Sequence, residues 1–189
     1  MKSNRPQNRA PVLRDDDLVL RPARDEDWAA RLELGRVPEI ARMFAVQSGD
    51  ADKPLTEPDA RRWAVRLTSN PYGWVVEYQG RLLGEAFLNG VDLDHGDARL
   101  ACGLYDPGML GQGLGRRVVR LALAYAFEEL GLHRVGLRVI AYNERAVRCY
   151  RACGFKEEGR LREAVFVDGK RYDDILMSIL RSEYETQSH

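Results

Sequence analysis

Apolar positions recur along this chain with two distinct periods, and the change between them marks out its elements. Residues 18–21 alternate as a short strand. The run Asp25-Glu26-Asp27 then reads as the cap of a helix around Trp28 and Leu32. Residues 38–44 and 58–67 carry helical spacing, with the polar stretch 47–57 between them. Residues 74–78 and 81–91 alternate on either side of Gln79-Gly80, the pattern of a hairpin. A further strand over 99–105 ends at Asp106-Pro107-Gly108. After Arg116, Val119, Ala122, Leu123, Ala126, Phe127 and Leu130 fall on one helical face, and Gly131 supplies the stop. Val135, Leu137 and Val139 alternate within a strand over 134–141. Asn143 caps a short helix whose face carries Ala146, Val147, Tyr150 and Cys153, and which ends at Gly154. Strands 161–167 and 171–180 flank the turn pair Asp168-Gly169.

This order predicts one mixed α/β domain over residues 13–186, with a largely antiparallel sheet and helices on both faces. Residues 1–12 read as a flexible polar tail. Composition narrows the function classes. Twenty-nine basic residues balance twenty-nine acidic ones in 189, so no global field draws the chain to nucleic acid or to an anionic membrane. There is no apolar run of membrane-spanning length and no signal-peptide block. Three cysteines make no disulfide framework and suit a reducing cytoplasm. Cys149 and Cys153 lie one helical turn apart without further ligands nearby, so no metal is expected and they read as small buried residues. His95, His133 and His189 have no ligand spacing and read as loop or surface residues.

The candidate chemistry begins at Leu110-Gly111-Gln112-Gly113-Leu114-Gly115-Arg116-Arg117. Three alternating glycines that run into a helix leave backbone N–H groups unpaired at the positive end of its dipole. That arrangement suits a phosphate or pyrophosphate, and the two arginines reinforce it. A tight turn with solvated arginines is the plainer alternative. The spacing is neither the G-x-G-x-x-G dinucleotide fingerprint nor a Walker A loop, which needs Gly-Lys-Ser/Thr.

The glycine loop, followed by a strand and then by a helix running from Asn143 through Tyr150 to Gly154, resembles the cofactor-binding motifs of the GNAT superfamily of acyl-CoA N-acyltransferases. The resemblance covers most of the chain. Residues 18–27 are similar to the family's first strand and helix start. Residues 169–180 resemble the last strands of the branch that holds ribosomal-protein N-terminal and spermidine acetyltransferases. It implies acetyl-CoA as co-substrate, a sheet splayed where the cofactor enters, an amine acceptor and a homodimer. It also implies cofactor contacts at Leu104 and Tyr105 on the strand, at Leu110, Gly111, Gln112, Gly113, Leu114, Gly115 and Arg116 in the loop, and at Asn143 and Ala146 on the later helix.

Acyl transfer to an amine needs a proton acceptor for the mostly protonated nucleophile and a weak acid for the departing thiolate. Backbone N–H groups on the strand before the loop are suited to stabilise the oxyanion. Tyr150 is the expected acid, its alternative being a packed core tyrosine. Many family members carry a glutamate base on the strand before the loop. Counting back from Pro107, that position is Leu100. The base therefore falls to Glu85, to Asp92 or Asp94 beyond it, or to a water chain, with Glu85 first. The expected reaction is N-acetylation of a primary amine: a protein N-terminus, a polyamine or an aminoglycoside. Leu110 and Arg148-Cys149-Tyr150 resemble the aminoglycoside enzymes. A cationic acceptor would favour an acidic cleft, and Asp25, Glu26, Asp27 and Glu33 lie in the region bordering it. A catalytically silent acyl-CoA sensor is the alternative that the leucine at position 100 leaves open.

Overall fold

Gln79 and Gly80 both adopt positive φ, 51° and 75°, which closes the expected two-residue hairpin. In the computed structural model, which describes residues 9–187, this hairpin lies near the middle of an eight-stranded sheet. The strands are β1 (Leu13–Asp15), β2 (Leu18–Pro22), β3 (Gly73–Tyr78), β4 (Arg81–Asp92), β5 (Asp97–Leu104), β6 (Arg134–Ile140), β7 (Lys156–Val167) and β8 (Lys170–Leu180). Their order is β1-β2-β3-β4-β5-β6-β8-β7, and every neighbouring pair is antiparallel except β5 with β6. The second expected hairpin closes at Asp168 and Gly169, with φ of 49° and 76°.

The helices are α1 (Asp27–Leu34), α2 (Pro38–Arg42), α3 (Ser48–Ala51), α4 (Glu57–Thr68), α5 (Leu114–Ala124), α6 (Glu144–Ala152) and α7 (Arg181–Gln187). Strand alternation sorts side chains to two cores. Trp74, Ala86, Leu88 and Leu100 face α5 and α6, where Val118, Val119, Ala122 and Leu123 are almost wholly buried. Val75 and Leu82 face the other way, against Trp63, Ala64 and Leu67 of α4 and Trp28 and Leu34 of α1. Helix α4 starts on a capping box, Thr56 Oγ1 accepting from the Asp59 amide while the Asp59 carboxylate accepts from the Thr56 amide.

Several elements differ from the periodicity. The helix expected to run to Leu130 changes after Ala124 into a π turn over Tyr125–Glu129, closed by the Leu130 amide on the Tyr125 carbonyl. The wider turn keeps both Tyr125 and Phe127 inward, against Trp74 and Tyr184. Strand β1 and helix α7 carry too few apolar residues to be seen by period, and α3 lies inside the expected polar stretch. The acidic run before α1 does not cap it. Glu26 makes no side-chain cap bond, and Asp27 is buried with its carboxylate on the Arg21 guanidinium (2.7 and 2.9 Å) and the Arg24 amide (2.7 Å). Residues 1–8 of the expected tail, and His189, lie outside the described residues. Ala10 is in the core, and the Pro11 carbonyl accepts from the Trp74 indole (2.8 Å).

Strands β5 and β6 pair only at Asp97–Arg134, Ala98–Val135 and Arg99–Gly136. Beyond those residues both strands continue without each other, β5 to Leu104 and β6 to Ile140, so the sheet opens into a cleft. On its other side β5 stays tightly paired. A Cβ on Gly84 would lie 2.0 Å from the Gly103 carbonyl oxygen, a backbone atom that cannot turn aside. Gly84→Ala should therefore lower stability by about 1–3 kcal/mol or more, as overpacking does. A urea melt checks this, and an unchanged midpoint would mean that the two strands part freely at this point.

Candidate active site

Most of the expected site residues meet where β5 and β6 part. The N–H of Tyr105 bonds to the Leu83 carbonyl on the β4 side, whereas the Gly96 carbonyl accepts from His133 and Arg134 on the β6 side. Backbone groups alternate along a strand, so those of Cys102 and Leu104 point into the opening. Helix α5 begins directly beneath it. Gly111 and Gly113 take φ of 80° and 82°, and nothing lies within 4 Å of where a Cβ of Gly111 would sit. A side chain there would be strained, and bare backbone is open to a ligand. Among the described residues, the amides of Gly111, Gln112, Gly113, Leu114 and Gly115 have no hydrogen-bond acceptor. Five free donors at the positive end of a helix form an anion cradle. Gln112 braces the loop from outside, its side-chain amide donating to the Gly108 carbonyl (2.7 Å).

The two arginines separate. Arg116 lines the cleft and has no carboxylate partner among the described residues. Arg117, expected beside the anion, instead binds Asp15 (2.6 Å) and Asp17 (3.1 Å) and the Asp15 carbonyl, tying α5 to the β1–β2 turn. The carboxylates of that turn are one helix face away from the cleft, and they outcompete it for Arg117.

The cleft measures about 420 Å³. Leu104, Leu110, Gly111, Gly113, Gly115, Arg116, Asn143, Ala146 and Tyr150 all line it. Three other expected residues take different places. Leu114 is buried in the core below α5, Gln112 stands outside the loop, and Tyr105 faces α1 and α4. Asn143 caps α6 through its Oδ1, which accepts from the Ala146 amide (3.2 Å). Tyr150 sits one face along α6, 8% exposed, edge-on to Phe155 and with its hydroxyl 3.7 Å from Cys102 Sγ. Burial holds its phenol well above the ordinary tyrosine range, so it stays a proton donor at neutral pH.

Glu85 occupies the opposite face of the sheet. It is in register with Gly103, and its Oε2 accepts from Arg66 (2.6 Å). Its neighbour is Tyr105, whose hydroxyl accepts from the Trp63 indole (3.0 Å) and whose ring lies under the Arg31 guanidinium (4.0 Å). Burial, then the Glu85 charge, raises the Tyr105 phenol far above its usual value. Asp92 is a turn residue, accepting from the amides of Asp94 and His95 and paired with the His95 ring. Leu100 points into the α5 core, so a carboxylate at that position would face apolar side chains rather than an acceptor. The residues of β5 nearest Glu85 on its face are Gly103 and Ala101, neither of them ionisable, and the ionisable Arg99 lies further along, opposite Asn89.

A strap the sequence did not reveal crosses the opening. Ile40, Met43 and Phe44 line the cleft, and a Cβ on Gly103 would meet the Phe44 ring at 2.5 Å. The strap is latched to the β7–β8 turn. Gln47 exchanges hydrogen bonds with Phe166 and Asp168 (both 2.7 Å), and Ser48 donates to Asp168 through its amide (2.7 Å) and hydroxyl (2.5 Å). Tyr142 Oη adds a bond to the Arg42 carbonyl (2.5 Å). These partners lie about a hundred residues or more apart in the chain, and no local signal announces them. Among the described residues no group of side chains could hold a metal, and no helix is long and apolar enough to cross a membrane.

A splayed sheet with an anion cradle and a buried phenol at one opening forms a cleft suited to a phosphate-bearing ligand. Residues 17–156 match the acetyltransferase (GNAT) domain, and the chain belongs to that family. It is 33% identical over 173 residues to the spermidine N(1)-acetyltransferase of Escherichia coli K12, covering 87% of each chain. Against the spermidine N(1)-acetyltransferase of Vibrio cholerae it is 36% identical over 114 residues, 60% of this chain and 65% of that enzyme. The crystal structure of spermidine N-acetyltransferase from Vibrio cholerae in complex with CoA and spermine superimposes with a TM-score of 0.74 at 27% identity, covering 90% of this chain and 99% of the other. The protein is thus an acetyl-CoA-dependent acetyltransferase that acts on an amine acceptor, and not a binding module alone.

Proposed function

We propose that the cleft binds acetyl-CoA with its pyrophosphate on the amides of residues 111–115 and on Arg116. The pantetheine arm then runs along the Leu104 backbone, Asn143 and Ala146. The row of five unpartnered amides opening on the same cleft as Tyr150 carries this reading. Acetyl-CoA supplies the activated acyl group. The Cys102 and Leu104 backbone faces the gap, where an N–H can stabilise the oxyanion. Tyr150 gives its proton to the departing sulfur as the C–S bond breaks and regains one from solvent. The amine's surplus proton passes to Glu85, through water across the side-chain-free Gly103.

The proposed acceptor is a small polyamine, a chemistry named for two of the similar enzymes. Glu85 offers it a carboxylate that it must share with the half-exposed Arg66, and the Phe44 strap supplies an apolar wall for its methylenes. Asp27, expected among the acids of that cleft, is neutralised by Arg21. A second reading, a protein N-terminus, is favoured by Arg31 and Arg66 on the Glu85 face, which suit a peptide carbonyl better than a polycation. We further place the enzyme in the cytoplasm, as a homodimer.

Thiol release from acetyl-CoA, measured over a panel of spermidine, aminoglycosides and N-terminal peptides, tests the assignment. The reading predicts turnover with spermidine above the rest. Release with none of these amines would overturn it. The base is tested by Glu85→Gln. With Glu85 as base, the rate depends on a carboxylate that can accept the amine's proton, which an amide cannot. The glutamine variant should then lose about a hundredfold in rate. If water carries the proton, activity instead climbs towards the amine's own pKa and the variant stays near wild type.

A further inference from the structure

Tyr150 reaches the cleft with a single hydrogen-bonding neighbour. Among the described residues its hydroxyl hydrogen-bonds only with Cys102 Sγ, at 3.7 Å. Cys102 belongs to the part of β5 that has left β6, and its side chain faces α6 because its register partner, Ala86, faces the α5 and α6 core. Away from the cleft mouth, Phe155 meets the ring's edge and Val147 belongs to the same core cluster, while the Cys149 and Cys153 thiols are near without a hydrogen bond to the hydroxyl. A buried phenol that gives up its proton in such a setting develops negative charge with nothing to solvate it.

We propose that Cys102 is a positioning residue for Tyr150, its thiol donating a hydrogen bond to the phenol oxygen as that oxygen passes its own proton to the departing sulfur. This rests on the assignment of Tyr150 as the acid. The geometry permits either atom of the pair to be the donor. Before reaction the phenol hydrogen is free to turn to the sulfur of the acyl donor, provided the thiol hydrogen points at the phenol oxygen. The thiol keeps its proton throughout, because burial pushes it up to about 11. It therefore neither attacks the thioester as a thiolate nor repels the thiolate that leaves. A carboxylate here would do the latter, and an alanine would leave the developing phenolate unsupported. The other thiols cannot substitute. Cys149 lies 3.5 Å from the Cβ position of Gly115, at the loop, and Cys153 Sγ is directed to the Arg116 carbonyl (3.8 Å).

Steady-state kinetics with acetyl-CoA and an accepted amine test this in four proteins: Cys102→Ala, Cys102→Ser, Tyr150→Phe and the Cys102→Ala/Tyr150→Phe double variant. The alanine variant should lose about tenfold in kcat, the size expected for one hydrogen bond to a developing charge, with the acetyl-CoA KM unchanged. The serine variant, whose hydroxyl donates in the same place, should recover most of that rate. In the Tyr150→Phe background the alanine change should cost nothing more, since the oxygen it serves is gone. If the alanine variant does not fold, Cys102→Val, which also lacks a donor, takes its place. Equal losses in the alanine and serine variants, or additive losses in the double variant, would overturn the proposal by showing that Cys102 acts through packing. Unchanged kcat in the alanine variant would overturn it as well. A Tyr150→Phe enzyme with full turnover would remove the acid itself, an outcome read from that single variant independently of Cys102.

Discussion

Tyr150→Phe should lower kcat by about a hundredfold or more while leaving acetyl-CoA affinity nearly intact. The ring is buried against Phe155 and Val147, and phenylalanine fills the same space, so packing and fold are preserved. What disappears is one hydroxyl at the cleft wall, held protonated by its burial. A group used only as the thiolate departs contributes in the transition state and not in the ground state. The loss should therefore fall on kcat and on kcat/KM alike. Stopped-flow thiol release separates chemistry from product release. Wild-type single-turnover rates in this variant would return Tyr150 to the role of a core residue.

Gly113→Val should weaken coenzyme A binding by about tenfold or more, the equivalent of a little over 1 kcal/mol. Gly113 sits at φ 82° as the N-cap of α5, a conformation that a β-branched side chain resists. A valine would force the loop to another shape or lay its methyls over the amides that form the cradle. Gly115→Ala is the control. Its Cβ would make ordinary contact with Cys149 Sγ at 3.5 Å, and φ there is not positive, so affinity should change little. Calorimetric titration of folded variants with coenzyme A distinguishes the cases. Unchanged affinity in the valine variant would place the pyrophosphate elsewhere.

The parts of this site that could be read from the chain are those built by neighbours in sequence. Alternating glycines before a helical period specify the loop, and the Asn143 cap followed by a three- and four-residue apolar spacing specifies α6 and the face that carries Tyr150. Turn chemistry located both hairpins, because Gln79-Gly80 and Asp168-Gly169 accept the positive φ that their turns demand. In each of these the governing interactions span a few residues, so residue type and spacing carry the information.

Where partners lie far apart along the chain, only the folded molecule decides. Arg117 looks identical to Arg116 in sequence, yet it is taken by Asp15 and Asp17 across the sheet edge. Leu104 and Tyr105 are adjacent, but the Leu83 carbonyl claims the Tyr105 amide and thereby leaves the Leu104 backbone to the gap. Glu85 could be placed on a strand from its neighbours, whereas its face followed from pairing with Gly103 and its salt bridge from the docking of α4. The Phe44 strap and its latch to Asp168 depend on the β7–β8 turn arriving beside α3, 120 residues further along. Spacing and periodicity act within one element. The opening of the sheet, the choice between two like charges and the closing of the strap depend on which elements become neighbours, and sheet order and packing alone settle that.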